Sequence, residues 1–301
     1  MQSILVEHIT KKFGTQMAVN DVSFAVESGE IFGLLGPNGA GKTTTIRIIL
    51  DIFKPDAGKV AVLGGAMTEE KKARVGYLPE DRGLYQDIPL ERCLVYLATL
   101  KGLSVSESRQ RIDEFLERFD LADHKRKKIK ELSKGMQQKA QLISTLVHRP
   151  DVIIIDEPFS GLDPVNTQMI KDLLVEERNR GVTIVMSTHQ MHQVEELCDR
   201  LLLIHQGKAV LYGTLKEIRN SYASQAVLVG SHGPLPETIA GTDGRQNLNG
   251  VTKLMLSPGS TPQDVLRSLV SQNIQVEQFE IAIPTLDEIF IKIVKGTGMV
   301  E

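Results

Sequence analysis

Cysteine is nearly missing from this chain. Among 301 residues only Cys93 and Cys198 occur, without a CxxC or any paired spacing. That excludes a disulfide framework and fits a reducing, cytoplasmic setting in which both thiols are small core residues. Excess positive charge is absent as well: 35 Lys and Arg against 38 Asp and Glu leave a net charge of −3. A protein whose main work is to hold nucleic acid through its phosphates would carry the opposite balance. No apolar run approaches the ~20 residues that cross a bilayer, and Met1 to Lys12 is not an apolar core behind a basic leader. Any work at a membrane would therefore use helices of another chain. No internal repeat is visible. The length suits two domains, one of them large, and allows burial of about three-quarters of the unfolded surface.

The most informative stretch is Gly36-Pro37-Asn38-Gly39-Ala40-Gly41-Lys42-Thr43-Thr44. Gly36, Gly41, Lys42 and Thr43 fill the template G-x-x-x-x-G-K-[ST]. The apolar run Ile31 to Leu35 precedes it and reads as a buried strand; Thr45 to Phe53 follows and reads as a helix. Strand, loop and helix in that order are the setting of a phosphate-binding loop. The residue types follow from the ligand. A triphosphate loses water from several negative charges on binding, and successive backbone N–H groups must replace it. Glycines at 36, 39 and 41 let the backbone come close and take dihedrals closed to other residues. The helix N-terminus adds roughly half a positive charge. Lys42 brings a full charge to the β- and γ-phosphates, and the Thr43 hydroxyl is a natural ligand for Mg2+. Gly36 to Thr44 is thus the expected nucleotide cradle.

Around it, Ser3–Phe13 and Ala18–Val26 alternate as strands, with Lys59–Leu63 and Val75–Leu78 as two more. Between 89 and 119 the spacing turns helical: Leu90, Cys93, Leu94, Leu97 and Leu100 recur at helical spacing, as do Ile112, Phe115, Leu116 and Phe119. A helical insert of about 85–150 is expected. From Val152 strand and helix alternate (strand 152–155, helix 165–180, strand 182–186, helix 190–198), the mark of a parallel sheet covered by helices. Residues 201–204 and 209–212 form a last strand pair. Beyond Asn220 the composition shifts. Residues 230–249 are rich in Gly, Thr, Asn and Pro and read as a loop or linker. Strands near 251–256 and 274–282 and helices near 261–272 and 285–295 follow. The expected organisation is an α/β domain over 1–220 and a small C-terminal α+β domain over 222–301.

Val152-Ile153-Ile154-Ile155-Asp156-Glu157 is an apolar strand ending in two acids. Asp156, at the strand end beside the phosphate loop, can hold Mg2+ directly or through water. Glu157, just past it, can orient or deprotonate an attacking water. Leu132-Ser133-Lys134-Gly135-Met136-Gln137-Gln138 opens a helix that runs to about His148, with Ser133 as N-cap and Gly135 allowing close backbone approach. This stretch resembles the signature motif of the ABC-type ATPases, usually Leu-Ser-Gly-Gly-Gln. Phosphate loop, signature, Asp156-Glu157, Ser160-Gly161-Leu162-Asp163 and Ser187-Thr188-His189 stand in that family's order over about residues 1 to 220.

The resemblance implies a P-loop NTPase core with a mixed sheet, an antiparallel β subdomain and a helical subdomain. It implies ATP and Mg2+ as ligands. Two such domains, identical or closely related, would face head to tail, each ATP lying between the phosphate loop of one and Ser133 and Gly135 of the other. Glu157 is implied as the general base, His189 as the switch histidine at the γ-phosphate, and Lys42 as the third member of the catalytic group. Phe13 resembles the aromatic that stacks on adenine, and Asp163 the loop acid that links the two sites across the dimer.

Two departures stand out. Lys134 and Met136 replace the usual Gly and Gln of the signature, while Ser-x-Gly persists. Glu80 stands where most members place Gln, whose oxygen reaches Mg2+ and the attacking water. Glutamate keeps the oxygen and adds a negative charge beside Asp156 and Glu157. Either its pKa rises or it grips Mg2+ more firmly, so its part as a metal ligand stays open. The segment Tyr77 to Tyr85 resembles the ATPase subunits of bacterial sodium and drug exporters. So does Pro284-Thr285-Leu286-Asp287-Glu288-Ile289-Phe290 in the tail, with Thr285 reading as a helix N-cap. The resemblance implies an integral membrane permease subunit as partner, docked against Leu84, Tyr85, Ile88 and Leu90, and a peripheral place on the cytoplasmic face. The basic run His124 to Lys130 reads as a solvated loop, with no nucleic acid as partner. The alternatives are a soluble ABC ATPase acting on DNA or ribosomes and an ATP-gated regulatory clamp. The first class usually carries long coiled coils or two nucleotide domains in one chain, which this sequence lacks. Retention of Lys42, Asp156, Glu157 and His189 speaks against the second.

Overall fold

A computed structural model describes residues 1–80, 83–222, 226–248 and 250–296. Asp81 and Arg82, part of the exporter-like segment, lie outside the described residues. The chain divides into two compact units, Met1–Leu215 and Lys216–Glu301.

The first unit runs β1 (Gln2–Phe13), β2 (Gln16–Glu27), β3 (Ile31–Leu35), α1 (Lys42–Ile49), β4 (Ala57–Val62), α2 (Glu69–Ala73), β5 (Val75–Leu78), α3 (Leu90–Leu100), α4 (Val105–Arg118), α5 (Lys134–Leu146), β6 (Val152–Asp156), α6 (Pro164–Asn179), β7 (Thr183–Thr188), α7 (Met191–Leu197), β8 (Arg200–His205) and β9 (Lys208–Thr214). Strands β2-β1-β4 make an antiparallel sheet. A six-stranded sheet has the order β5-β6-β7-β3-β8-β9. It is parallel except for β9, which pairs antiparallel with β8 at one edge. Every residue of β3, β6 and β7 is buried. Strands covered on both faces read as continuous apolar runs, which is why no alternation marks them in the sequence. The expected fold, a mixed P-loop sheet with an antiparallel β part and a helical part, is the fold observed.

Helix α1 begins at Lys42, three residues earlier than the sequence spacing predicts, because Gly41 caps it. It ends at Ile49, four residues earlier, where Asp51 turns the chain with φ 60°. Strand β5 is the far edge of the large sheet. Its flank is sealed by polar side chains of α5 and the residues just after it. Gln141 donates to Pro79 O at 3.4 Å, Thr145 to Tyr77 O at 3.4 Å and His148 Nε2 to Val75 O at 3.3 Å. Spacings of four and three place these residues on one helix face, and they cover carbonyls that an edge strand would otherwise leave open.

The second unit contains α8 (Leu215–Tyr222), β10 (Ala226–Ser231), β11 (Thr242–Leu248), β12 (Val251–Leu256), α9 (Pro262–Ser271), β13 (Val276–Ile281) and α10 (Leu286–Gly296), its first helix starting at the boundary. Its sheet, β11-β12-β10-β13, is antiparallel throughout. The core gathers Val227, Val229, Leu254, Val265 and Leu269. Thr285 caps α10, accepting from Glu288 N at 3.2 Å. The loop expected over 230–249 is corrected here, since β11 lies inside it and pairs with β12. As an edge strand exposed along most of its length, β11 has no buried face to impose an apolar period. Among the described residues no helix is long and apolar enough to cross a membrane.

Candidate functional site

The C-terminal ends of β3, β6 and β7 lie side by side, with Leu35 opposite Thr188 and Asp156 opposite Ser187. The loop that leaves β3 folds tightly. Gly36 and Gly41 have φ of 154° and 111°. A Cβ at Gly36 would stand 2.2 Å from Ile204 O, and one at Gly41 2.4 Å from Ala18 O. Both positions are therefore closed to larger residues by dihedral and by contact. Ala40 is buried and anchors the loop from beneath. Lys42 Nζ donates to Gly36 O at 2.7 Å and to Pro37 O at 3.2 Å.

Beside this loop lies a hollow of about 350 Å³. Asn38, Gly39, Gly41, Lys42, Thr43 and Thr44 form one wall, Phe13, Gln16 and Ala18 of the antiparallel sheet a second, and Glu80, Asp156 and Glu157 a third. Residues far apart in the chain thus converge on the loop. Phe13 is 45% exposed, edge-on to Phe53 at 5.5 Å, with Lys11 Nζ 5.6 Å from its ring centre. It is a surface aromatic at the end of β1, available for stacking, and not a core residue. Gln16 and Ala18 had no signal in the sequence, being ordinary strand residues until the sheet is folded.

Asp156 is almost wholly buried. Its Oδ1 accepts from Ser187 Oγ, while Oδ2 has no hydrogen-bond partner. Glu157 turns with φ 52°, and its N–H donates to Ser187 O at 3.1 Å. A left-handed conformation in a non-glycine residue costs of order 1–3 kcal/mol and persists where its surroundings hold it. Here the side chain is held at both oxygens. Oε1 accepts from His189 Nδ1 at 2.9 Å, and Oε2 from Thr188 Oγ1 at 3.3 Å. Lys42 Nζ stands 3.8 Å from Oε1. Burial pushes the Lys42 ammonium below its usual pKa, and the negative charges of Glu157, Asp156 and Glu80 pull it back up.

Ser133 and Gly135 do not line this hollow. Ser133 is the exposed N-cap of α5 and accepts from Met136 N at 3.2 Å. A Cβ at Gly135 would meet nothing within 4 Å, so the first turn of α5 faces open space. Asp163 caps α6, accepting from Asn166 N at 3.0 Å, and the two hydrogen bonds from Asn166 hold its carboxyl below the usual range. The docking group read from the sequence needs correction. Leu84 and Leu90 are buried, and Tyr85 is the one of the four left exposed. Leu90 belongs with Cys93 and Leu94 on the inward face of α3. The outward face offers Tyr96, edge-on to Tyr85 at 5.8 Å, and Leu100. In the basic run, Lys125 pairs with Asp113 at 3.4 Å and Lys130 with Asp87 at 2.6 Å, as expected of solvated residues. A wider hollow of about 810 Å³, lined in part by Thr238, Thr242 and Gln272, belongs to the second unit, and no phosphate-binding loop borders it.

Residues 19–160 match the ABC transporter family, and residues 213–294 match the family described as ATP-binding protein DrrA1-3-like, C-terminal domain. The ABC transporter ATP-binding protein YhaQ of Bacillus subtilis (strain 168) is 39% identical over 96% of this chain and 97% of its own. The Nod factor export ATP-binding protein I of Burkholderia lata is 35% identical over 77% of each chain. A solved structure described as an ATP binding subunit of an ABC transporter superposes with a TM-score of 0.69 at 33% identity, covering 73% of this chain and 92% of that one.

Proposed function

This chain belongs to the ATP-binding proteins of ABC transporters and is an ATP hydrolase of that family, and from this premise we propose that it powers export through a separate membrane-spanning partner. One observation carries the reading. A single hollow joins a phosphate loop, an exposed aromatic, two strand-end acids and, through Glu157, a histidine.

The residues divide the work by their chemistry. Phe13 offers a ring face to adenine. The N–H groups of Gly39 to Thr44 and the Lys42 ammonium neutralise the phosphates. Glu157 takes the proton of the attacking water, with its carboxylate aimed by His189 and Thr188. The donors present fit Mg2+: Asp156 Oδ2 is buried without a partner, and the Thr43 hydroxyl and the Glu80 carboxylate line the same hollow. Hard oxygen ligands suit this ion, which is commonly held by one or two carboxylates together with the phosphates. Among the described residues no cluster of three or more His, Cys, Asp or Glu is arranged to hold a metal alone. When bound, Mg2+ supplies charge neutralisation to the phosphate oxygens.

Ser133 and Gly135 serve the site of another subunit in this reading. Ser133 is exposed, a Cβ at the half-buried Gly135 would meet nothing within 4 Å, and both stand outside their own chain's hollow. In a head-to-tail dimer of two copies, or of this chain and a close relative, each α5 N-terminus meets the other subunit's ATP. A helix dipole there is worth only ~0.3–2 kcal/mol, which suits ATP-dependent closure better than rate acceleration. The permease docks against the exposed Tyr85–Tyr96 surface and holds the protein at the cytoplasmic face. The likeness to an export protein supports export as the direction of transport.

Glu157→Gln tests the core of this reading. It should keep ATP, lose about 10²–10⁴ in turnover and remain a dimer by light scattering in the presence of ATP. Normal turnover would refute the role of Glu157. Purification from membranes should bring down an integral membrane protein; recovery with ribosomes or DNA would favour the soluble alternative.

A further inference from the structure

Helix α5 carries two buried amides on successive turns, Gln138 and Gln141. Their partners are the carbonyls of two prolines that directly adjoin the acids of the site. Gln138 Nε2 donates to Pro158 O at 3.0 Å, next to Glu157. Gln141 Nε2 donates to Pro79 O at 3.4 Å, next to Glu80. We propose that Gln138 and Gln141 are positioning residues for hydrolysis: they tie the backbone on which Glu157 and Glu80 stand to the helix that begins at Ser133.

Three observations support this. The amides sit three residues apart on one helix face, so one rigid element holds both acid-bearing loops. Between amides and acids lies a polar pocket of about 80 Å³, bordered by Gln138, Gln141, Glu80, Asp156, Glu157 and Ser160. That is room for about two waters at roughly 30 Å³ each. Two of the residues lining it have a buried acceptor without a hydrogen-bond partner, Gln138 Oε1 and Asp156 Oδ2. Buried polar atoms are rarely left unpaired, and water in this pocket would bridge the helix to the metal-binding acid. Lastly, Gln138 lies five residues beyond Ser133, about 7–8 Å along the axis. A displacement of the helix N-terminus, where the reading above places the other subunit's ATP, reaches the anchor of Glu157 through little more than one turn.

Thr145 supplies the control. It makes the same kind of bond from the same helix, to Tyr77 O of β5 at 3.4 Å, but its partner adjoins no acid. If the α5 side chains only tie the helix to neighbouring backbone, Thr145→Val and Gln138→Met should behave alike. The expected result is different: Gln138→Met lowers kcat at least 10-fold with KM for ATP within 2-fold, and Thr145→Val leaves both within 2-fold. Hydrogen exchange at the Phe159 and Ser160 amides should quicken at least 10-fold in Gln138→Met without nucleotide. Unchanged kcat and exchange in Gln138→Met, or an equal loss of kcat in Thr145→Val, would overturn the proposal. The inference rests on Glu157 as the base, and the two can fail separately. Full turnover by Glu157→Gln would sink that role while the exchange result stood. A silent Gln138→Met beside a dead Glu157→Gln would sink the positioning role alone.

Discussion

His189 Nδ1 donates to Glu157 Oε1 at 2.9 Å across a boundary between surface and interior: the His189 side chain is 45% exposed and that of Glu157 only 6%. The histidine therefore orients a buried carboxylate while its far ring edge stays accessible. A group so placed can respond to what enters the hollow and adjust the base at the same time.

Removing that ring should separate chemistry from binding. In His189→Ala, Glu157 keeps Thr188 and the nearby Lys42 but loses the shorter of its two side-chain hydrogen bonds. Steady-state turnover is expected to fall about 10²-fold or more, with ATP affinity within about 3-fold by fluorescent nucleotide titration. A parallel loss of affinity would place His189 in ground-state binding instead.

Glu80 shares both pockets with Asp156 and Glu157 and contributes to the negative field at Lys42. Glu80→Gln removes a charge and keeps an oxygen. The Mg2+ concentration for half-maximal turnover should rise several-fold, and metal-free ATP should bind more tightly as repulsion falls. A variant with the parent's Mg2+ dependence would show that the extra charge is idle.

The loop glycines should differ in what they tolerate. Gly41→Ala drives a methyl to within 2.4 Å of Ala18 O at a φ of 111°, so it should cost about 3 kcal/mol or more in urea unfolding. Gly39→Ala, at φ 77° with no atom within 4 Å of the new carbon, carries strain alone and should cost about 1 kcal/mol. Equal losses would mean that the loop yields to accommodate the clash.

His148 makes the first unit sensitive to acid. Burial and the nearby Lys101 push its pKa down to about 4 from 6.5. Below pH 6.5 the unfolded chain binds a proton that the folded chain refuses until about pH 4. Stability should therefore fall through this window, by up to about 3 kcal/mol. His148→Gln keeps a donor for Val75 O and cannot titrate. Its stability should be flatter between pH 6.5 and 4, measured by urea unfolding at several pH values.

Local features were readable in the chain, and long-range ones were not. The phosphate loop, the Ser133 cap and the Thr285 cap are each set by residues within a few positions of one another, and each is found where expected. Leu84 and Leu90, read from the sequence as docking residues, are apolar for the sake of the core; hydrophobicity does not say which way a side chain faces. Strand β11 was hidden by its polarity. Nothing in the sequence marked Gln138 and Gln141 as buried, since the carbonyls they meet belong to other segments.

From residue order come the nucleotide cradle, the strand-end acids and the family likeness, because contiguous residues fix the backbone of a strand–loop–helix turn. The assembly of the hollow does not follow from order. Glu80 and Asp156 reach the cradle only through a sheet whose strands run β5-β6-β7-β3 in space, and Phe13 only through the separate antiparallel sheet β2-β1-β4. That arrangement is chosen by the burial of whole apolar strands against helices on both faces, a collective energy no short stretch contains.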